Sequence, residues 1–205
     1  MKRLQEMSNR RISASLNGID EENQLRLLRA MDDIEDVLKK KDKGNSSYLL
    51  RTHRPGDIGY VAYRHAVFYS EQYGFDVTFD SYVASALAAF VEKFDSQKER
   101  LWIVEQGSAT EGSIAIVKVD ADVAQLRWFL VEPHARGKGL GKKMLSEAVS
   151  FCRRKKYKKI ILWTVDELGV ARKLYSKFGF HVEKTESHTI WGKHLTEELW
   201  EVDLE

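Results

Sequence analysis

Leu126-Arg-Trp-Phe-Leu-Val-Glu-Pro-His-Ala-Arg136-Gly-Lys-Gly-Leu-Gly-Lys-Lys143 reads as a strand, a short turn, a glycine-rich loop and the start of a helix. Gly137, Gly139 and Gly141 alternate with Lys138, Leu140 and Lys142. Glycine lets a backbone turn tightly and come close to a ligand. The first amides of a helix have no partner within it, so they suit a phosphate. Arg136, Lys138 and Lys142 add positive charge. The stretch reads as a pyrophosphate cradle. It is not a dinucleotide fingerprint, which needs G-x-G-x-x-G, nor a P-loop, which needs Ser or Thr after Gly-Lys. A plain strand-to-helix turn stays open as the alternative.

Outward from this stretch, residues 139–155 form a helical pattern with Leu140, Met144, Leu145, Ala148, Val149 and Cys152 on one face. Residues 159–164 are an apolar run, the mark of a central strand. A short helix follows at 170–178, ended by Gly179, and strands are expected near 180–186 and 196–204. Upstream, strands are expected at 48–52, 101–105, 113–119 and 124–131. Helices are expected over 58–69 and from Asp80 or Ser81 to about Phe94. Residues 106–112 read as a hairpin turn, and Ala121-Asp122 as part of a second, so 101–131 reads as an antiparallel meander.

Residues 1–43 have no aromatic residue, no proline and one glycine. Leu27, Met31, Ile34 and Leu38, widened by Leu28 and Val37, predict an amphipathic helix from about 21 to 40. Asp20 is its expected N-cap. Leu4, Met7, Ile12 and Leu16 suggest a shorter helix before it, ended by Asn17-Gly18. Two such helices must pack on the rest of the chain or on a second copy. Residues 39–47 read as a linker. The expected organisation is a helical extension, 1–43, and a mixed α/β domain, 48–205.

The composition limits the function. Lys and Arg total 33 and Asp and Glu 31, so no dominant basic field exists for nucleic acid. One cysteine, Cys152, excludes an internal disulfide or a multi-cysteine zinc site. The six histidines form no H-E-x-x-H or comparable pair, so no metal site is expected. No signal-type segment or membrane-length apolar run is visible. The expectation is a cytoplasmic protein with no membrane partner.

Two motifs together identify a family resemblance. Arg136-x-x-Gly139-x-Gly141 is similar to the acetyl-CoA loop of the GNAT superfamily of N-acetyltransferases. Ala171-Arg-Lys-Leu-Tyr175-Ser-Lys-Phe-Gly179-Phe180 resembles the A-x-x-L-Y-x-x-x-G-F signature that closes that cofactor site. Their order and separation are those of the family, and the element order fits from about 48 to 205. The resemblance implies a GNAT fold with a central, mostly antiparallel sheet flanked by helices. Arg54-Pro55-Gly56-Asp57-Ile58-Gly59 and Tyr69-Ser-Glu71-Gln-Tyr73-Gly74-Phe75 look like the GNAT domain of MarR-GNAT fusion proteins. Residues 1–43 resemble the dimer-forming helices of the MarR part, which implies a homodimer. The winged helix itself is missing, so no nucleic-acid partner is expected.

The resemblance further implies acetyl transfer from acetyl-CoA, as cosubstrate, to a primary amine by direct attack. The acceptor could be a small molecule or a protein amine. Backbone groups at Phe129, Leu130 and Val131 would pair with the pantetheine arm. Arg136, Gly137, Lys138, Gly139, Leu140, Gly141 and Lys142 would hold the pyrophosphate. Tyr175 would meet the cofactor and protonate the departing thiolate, with core packing as the plainer role of such an aromatic. Leu168 stands where many relatives carry Asn, seven positions before that tyrosine. Glu71 and Glu132 are the candidate bases, with a solvated or structural carboxylate as the alternative for each and Glu71 preferred. A catalytically weak acyl-CoA sensor is the alternative function. Cys152 is expected to pack as a small hydrophobe. The basic run at 153–159 is expected to be a solvated helix end. Trp191, Trp200 and His194 either pack or border the acceptor.

Overall fold

The computed structural model describes residues 48–107 and 109–204, and nearer the N-terminus residues 19, 20, 23, 24, 27, 28, 31 and 34. The chain divides into two units, Met1–Ser46 and Ser47–Glu205. In the first, residues 23, 24, 27, 28, 31 and 34 are helical. Asp20 Oδ1 accepts the Asn23 amide at 2.8 Å, as an N-cap does. The expected shorter helix and the linker lie outside the described residues.

The second unit is built on a seven-stranded sheet. Its strands are β1 (Leu49–Thr52), β2 (Arg100–Gln106), β3 (Ala109–Lys118), β4 (Val123–Val131), β5 (Lys159–Val165), β6 (His181–Ile190) and β7 (Lys193–Asp203). Their order across the sheet is β1-β2-β3-β4-β5-β7-β6. Only β4 and β5 pair in parallel. Four helices cover the faces: α1 (Asp57–Tyr73), α2 (Val77–Glu92), α3 (Leu140–Arg154) and α4 (Gly169–Lys177). This is the expected mixed, mostly antiparallel architecture.

A core lies on each face of the sheet. Met144, Leu145, Ala148 and Cys152 of α3 pack against Trp102, Ile114, Leu126 and Ile160. Val61, Val83, Leu87 and Phe90 of α1 and α2 pack against Leu101, Ile103, Ala115 and Val165. Strand β2 therefore buries both sides, and its sequence is apolar without alternation. Burial pushes the Cys152 thiol up to about 12, so it stays neutral and packs as a hydrophobe.

Four expected boundaries are corrected. Helix α2 starts at Val77, not near Asp80, because Asp76 caps it through the Thr78 amide at 2.9 Å. Helix α1 continues past 69 to Tyr73, where Gly74 at φ 72° ends it. The turn expected over 106–112 is far shorter, since Gln106 already pairs with Ala109. The polar Thr110 and Glu111 are strand residues, and Glu111 is buried with its Oε2 2.6 Å from His134 Nε2. The last hairpin is also longer than its pattern suggests. Strand β6 is a largely exposed edge, so no apolar alternation marks it.

The decisive irregularity is in β4. Ser113 faces Leu130 and Ala115 faces Arg127, so β4 carries one extra residue opposite Ile114. Trp128 takes φ 45° to make this bulge, and its carbonyl accepts the Ser113 hydroxyl at 2.8 Å. Strand β4 pairs with β5 only from Val123 to Gln125, while β5 stays paired to β7 as far as Val165. The sheet therefore opens between β4 and β5.

Gly112 is required beside the bulge. A Cβ there would stand 2.5 Å from the Leu130 carbonyl oxygen. Gly112→Ala should lower stability by about 1–3 kcal/mol, as overpacking does, in urea unfolding. An unchanged midpoint would show that β3 and β4 are not held this closely.

Candidate active site

Where β4 leaves β5 lies a cleft of about 580 Å³. Its lining comes from the exposed edge of β4, the glycine loop, α4, and aromatic rings of α1 and α2.

One end is built for anions. Gly139 is the N-cap of α3 at φ 77°, and no side chain caps that helix. A left-handed N-cap without a Cβ leaves the first amides of the 15-residue helix open, at its positive end. Gly137, also at φ 77°, turns the chain into this position. Arg136 Nε donates to the Val131 carbonyl at 2.9 Å, and its guanidinium lies 4.7 Å over the Phe68 ring. Arg136, Gly137, Gly139, Leu140, Gly141 and Lys142 all line the cleft. Lys138 does not; its Nζ turns back to the His134 carbonyl at 3.2 Å. Lys173 and Lys177 of α4 line the cleft too and were missed in the sequence. Their i, i+4 spacing on a short helix beside the loop was the available signal.

The middle is backbone and aromatic. Phe129, Leu130 and Val131 line it, and past Gln125 their strand has no neighbour on the β5 side. Tyr175 lines the same region, 5% exposed, with ring centroids 6.2 Å from Phe129 and 5.9 Å from Phe180. Burial holds its phenol well above its ordinary range, so it stays protonated. Leu168 is an apolar wall here, at the N-cap of α4 with no side-chain capping bond.

The carboxylates divide sharply. Glu71 is exposed on α1 and is not part of the cleft lining. Glu132 is buried and occupied: Arg64 grips both its oxygens at 2.7 Å, and the Tyr60 hydroxyl adds a third bond at 3.3 Å. Burial pushes its carboxyl up, but the Arg64 and Tyr60 bonds win and hold it below its usual range. Glu198 is equally committed, to Arg172 at 2.8 and 3.0 Å and to the buried Trp200 indole. Glu197 is different. It lines the cleft, and burial raises its carboxyl against the opposing pull of His188. Sequence reasoning missed it, because a polar residue in a half-exposed strand carries no distinguishing pattern.

Two buried polar atoms in the lining have no partner: His65 Nε2 and Thr164 Oγ1. His65 Nδ1 lies 2.8 Å from the Val61 carbonyl, so it carries the proton and Nε2 keeps a free lone pair. Trp191 joins the aromatic wall, Trp200 packs in the core, and His194 is exposed outside the lining. The basic run at 153–159 lies at the end of α3 and beyond, ion-paired through Arg154–Glu147 and Lys158–Asp122. His181, Glu183 and Glu201 bring ligand atoms within 4.8 Å of one another, but none lines the cleft and Lys159 already pairs with Glu201 at 2.7 Å. Among the described residues no helix is long and apolar enough to cross a membrane.

Solved structures share this fold. A GNAT-family acetyltransferase from Staphylococcus aureus Mu50 superposes with TM-score 0.62 at 17% identity, covering 78% of this chain and 100% of that one. The chain has the GNAT fold. Spermidine N-acetyltransferase from Vibrio cholerae, solved with CoA and spermine, gives TM-score 0.60 at 19% identity over 78% of this chain and 96% of that one. The yncA structure from Salmonella typhimurium, with its cofactor acetyl-CoA, gives 0.60 at 18% over 78% and 95%. In sequence, residues 97–182 match the family model described as acetyltransferase (GNAT) domain. N-acetylaspartate synthetase from Danio rerio is 32% identical over 93 residues, 44% of this chain. The match spans 33% of that relative's length.

His65 gives the domain an acid-sensitive point. Burial lowers its pKa to about 4 from an ordinary 6.5, against the Val61 bond and nearby Glu132, with Arg64 also opposing charge. The unfolded chain protonates this residue first. Stability is therefore complete above pH 6.5 and falls as pH drops towards 4, by up to about 3 kcal/mol. His65→Gln should flatten that part of a urea-unfolding pH series; an equal slope in both proteins would remove His65 as its source.

Proposed function

We propose that this protein is an N-acetyltransferase that moves the acetyl group of acetyl-CoA directly to a primary amine. The observation that carries the reading is the joining of an uncapped, glycine-lined helix N-terminus to an unpaired β4 edge in one cleft. The residues suit acetyl-CoA on independent grounds. A pyrophosphate would find open amides, Arg136, Lys142, Lys173 and Lys177. An amide-bearing pantetheine arm would find the free edge at residues 129–131 and the unpartnered Thr164 Oγ1 and His65 Nε2. The relatives solved with CoA or acetyl-CoA support the same reading.

The amine's lone pair attacks the thioester carbonyl, and a β4 backbone amide stabilises the developing oxyanion. Tyr175 faces the leaving sulfur. Its raised pKa makes it a weaker acid than an ordinary phenol, so it donates a hydrogen bond to the sulfur rather than surrendering its proton early. A Glu71 base would act only through water, since its side chain is outside the cleft lining.

Thiol release from acetyl-CoA across a panel of amines tests the reading. Amine-dependent release should fall about 10²-fold or more in Tyr175→Phe. Acetyl-CoA binding without release from any amine would favour the acyl-CoA sensor instead.

The proposal extends to assembly as a homodimer through residues 1–43. Leu27, Leu28, Met31 and Ile34 are 40%, 58%, 62% and 57% exposed on one helical stretch. Apolar residues repeating at this spacing ask for a partner helix. Light scattering should give a dimer mass that falls to the monomer on deletion of residues 1–43. A dimer that survives the deletion would refute this role.

A further inference from the structure

The end of the cleft away from the glycine loop is walled by aromatic rings. Trp191 packs 5.1 Å from Phe75, 4.9 Å from Phe79 and 5.3 Å from Tyr82. It is held there by a tight turn between β6 and β7, with Trp191 at φ 54° and Gly192 at φ 74°. A bulky residue with positive φ is strained, and such strain collects at ligand sites. Asp76 holds the turn: its amide donates to the Trp191 carbonyl at 3.0 Å, and a Cβ on Gly192 would stand 2.7 Å from its carboxylate.

Two charged side chains meet this wall. Glu197 faces Val165 in register, on the sheet face that carries Trp191 and Leu195. His188 Nε2 stands 2.9 Å from its Oε2, and Glu186 lies beside it on β6. Arg127 sits on β4 just past the last residue paired to β5. Its guanidinium lies 5.8 Å over Tyr82 and 5.1 Å over Trp128, and donates to the Tyr82 hydroxyl at 3.2 Å. Among the described residues it has no carboxylate partner, unlike Arg51, Arg64, Arg154 and Arg172. Both side chains line the one cleft, Arg127 from β4 and Glu197 from β7, with β5 between those strands in the sheet order.

We propose that this aromatic end is the acceptor subsite and takes an amino acid, with Glu197 receiving its ammonium group and Arg127 its carboxylate. The inference rests on the transferase reading above. Glu197 accepts one proton from the ammonium group, which frees the nitrogen lone pair. The C–N bond to the acetyl carbon forms as the C–S bond breaks, and the electron pair of that bond leaves on sulfur. A second nitrogen proton ends on the sulfur, and Glu197 releases its own to solvent. His188 keeps the Glu197 carboxylate oriented. The guanidinium on the other side opposes polyamines, whose second charge is positive. An acceptor of amino-acid type is also what the name of the Danio rerio relative describes for that protein.

The test is thiol release with a panel of amino acids, each beside the amine left when its carboxylate is removed. Wild type should prefer the amino acid. Arg127→Gln should shrink that preference about tenfold or more through KM, and Arg127→Lys should restore part of it. Glu197→Gln should lower kcat about 10²-fold or more and raise KM for the acceptor. Thermal unfolding would confirm that each variant is folded. Amines that serve as well as their amino acids, or a preference indifferent to Arg127→Gln, would overturn the subsite and leave the transferase reading standing. Release from no amine at all would remove both.

Discussion

The extra residue in β4 is the constraint from which the cleft follows. Inserting Trp128 opposite Ile114 turns the strand so that it cannot stay beside β5 after Gln125. The left-handed backbone at Trp128 costs about 1–3 kcal/mol in principle. It persists because its surroundings hold it: the indole is 7% exposed against Phe90, and the carbonyl is tied to Ser113. Gly112 lets the neighbouring backbone approach at the same level. The free edge of β4, the open end of α3 and the aromatic rings then face one space.

Charge is distributed by the same logic. Carboxylates that brace the fold are buried against arginines, as Glu132 is with Arg64 and Glu198 with Arg172. A carboxylate accepting a two-pronged arginine has little capacity for another proton. The cleft holds the open α3 amides, the unpartnered Thr164 Oγ1 and His65 Nε2, and the side chains of Glu197 and Arg127. A buried polar group without a partner is costly, so these two atoms suit a ligand that bonds to them.

Much of this was legible in the chain. The glycine loop was readable because turn chemistry is local, and all of its residues but Lys138 reached the cleft. Helix α3 and β5 were readable because an apolar face or run must be buried. The start of α2 and the β2–β3 hairpin were misplaced. Asp80 and Ser81 read as the start of the helix, and Thr110 and Glu111 read as turn residues. Packing and an Asp76 cap overrode both.

By itself, the sequence determined the glycine loop and the packing role of Cys152, which depend on residue types and periodicity within one short segment. The fold class and Tyr175 at the cleft followed from paired motifs that resemble the GNAT superfamily. Tertiary structure decided which carboxylates are occupied and which is available. Glu71, Glu132, Glu197 and Glu198 are equal as letters, and only their partners distinguish them. Those partners come from elements far apart in the chain: Arg64 from α1, Arg172 from α4 and His188 from β6. The bulge at Trp128 was invisible for the same reason, since an extra residue exists only relative to the strand beside it.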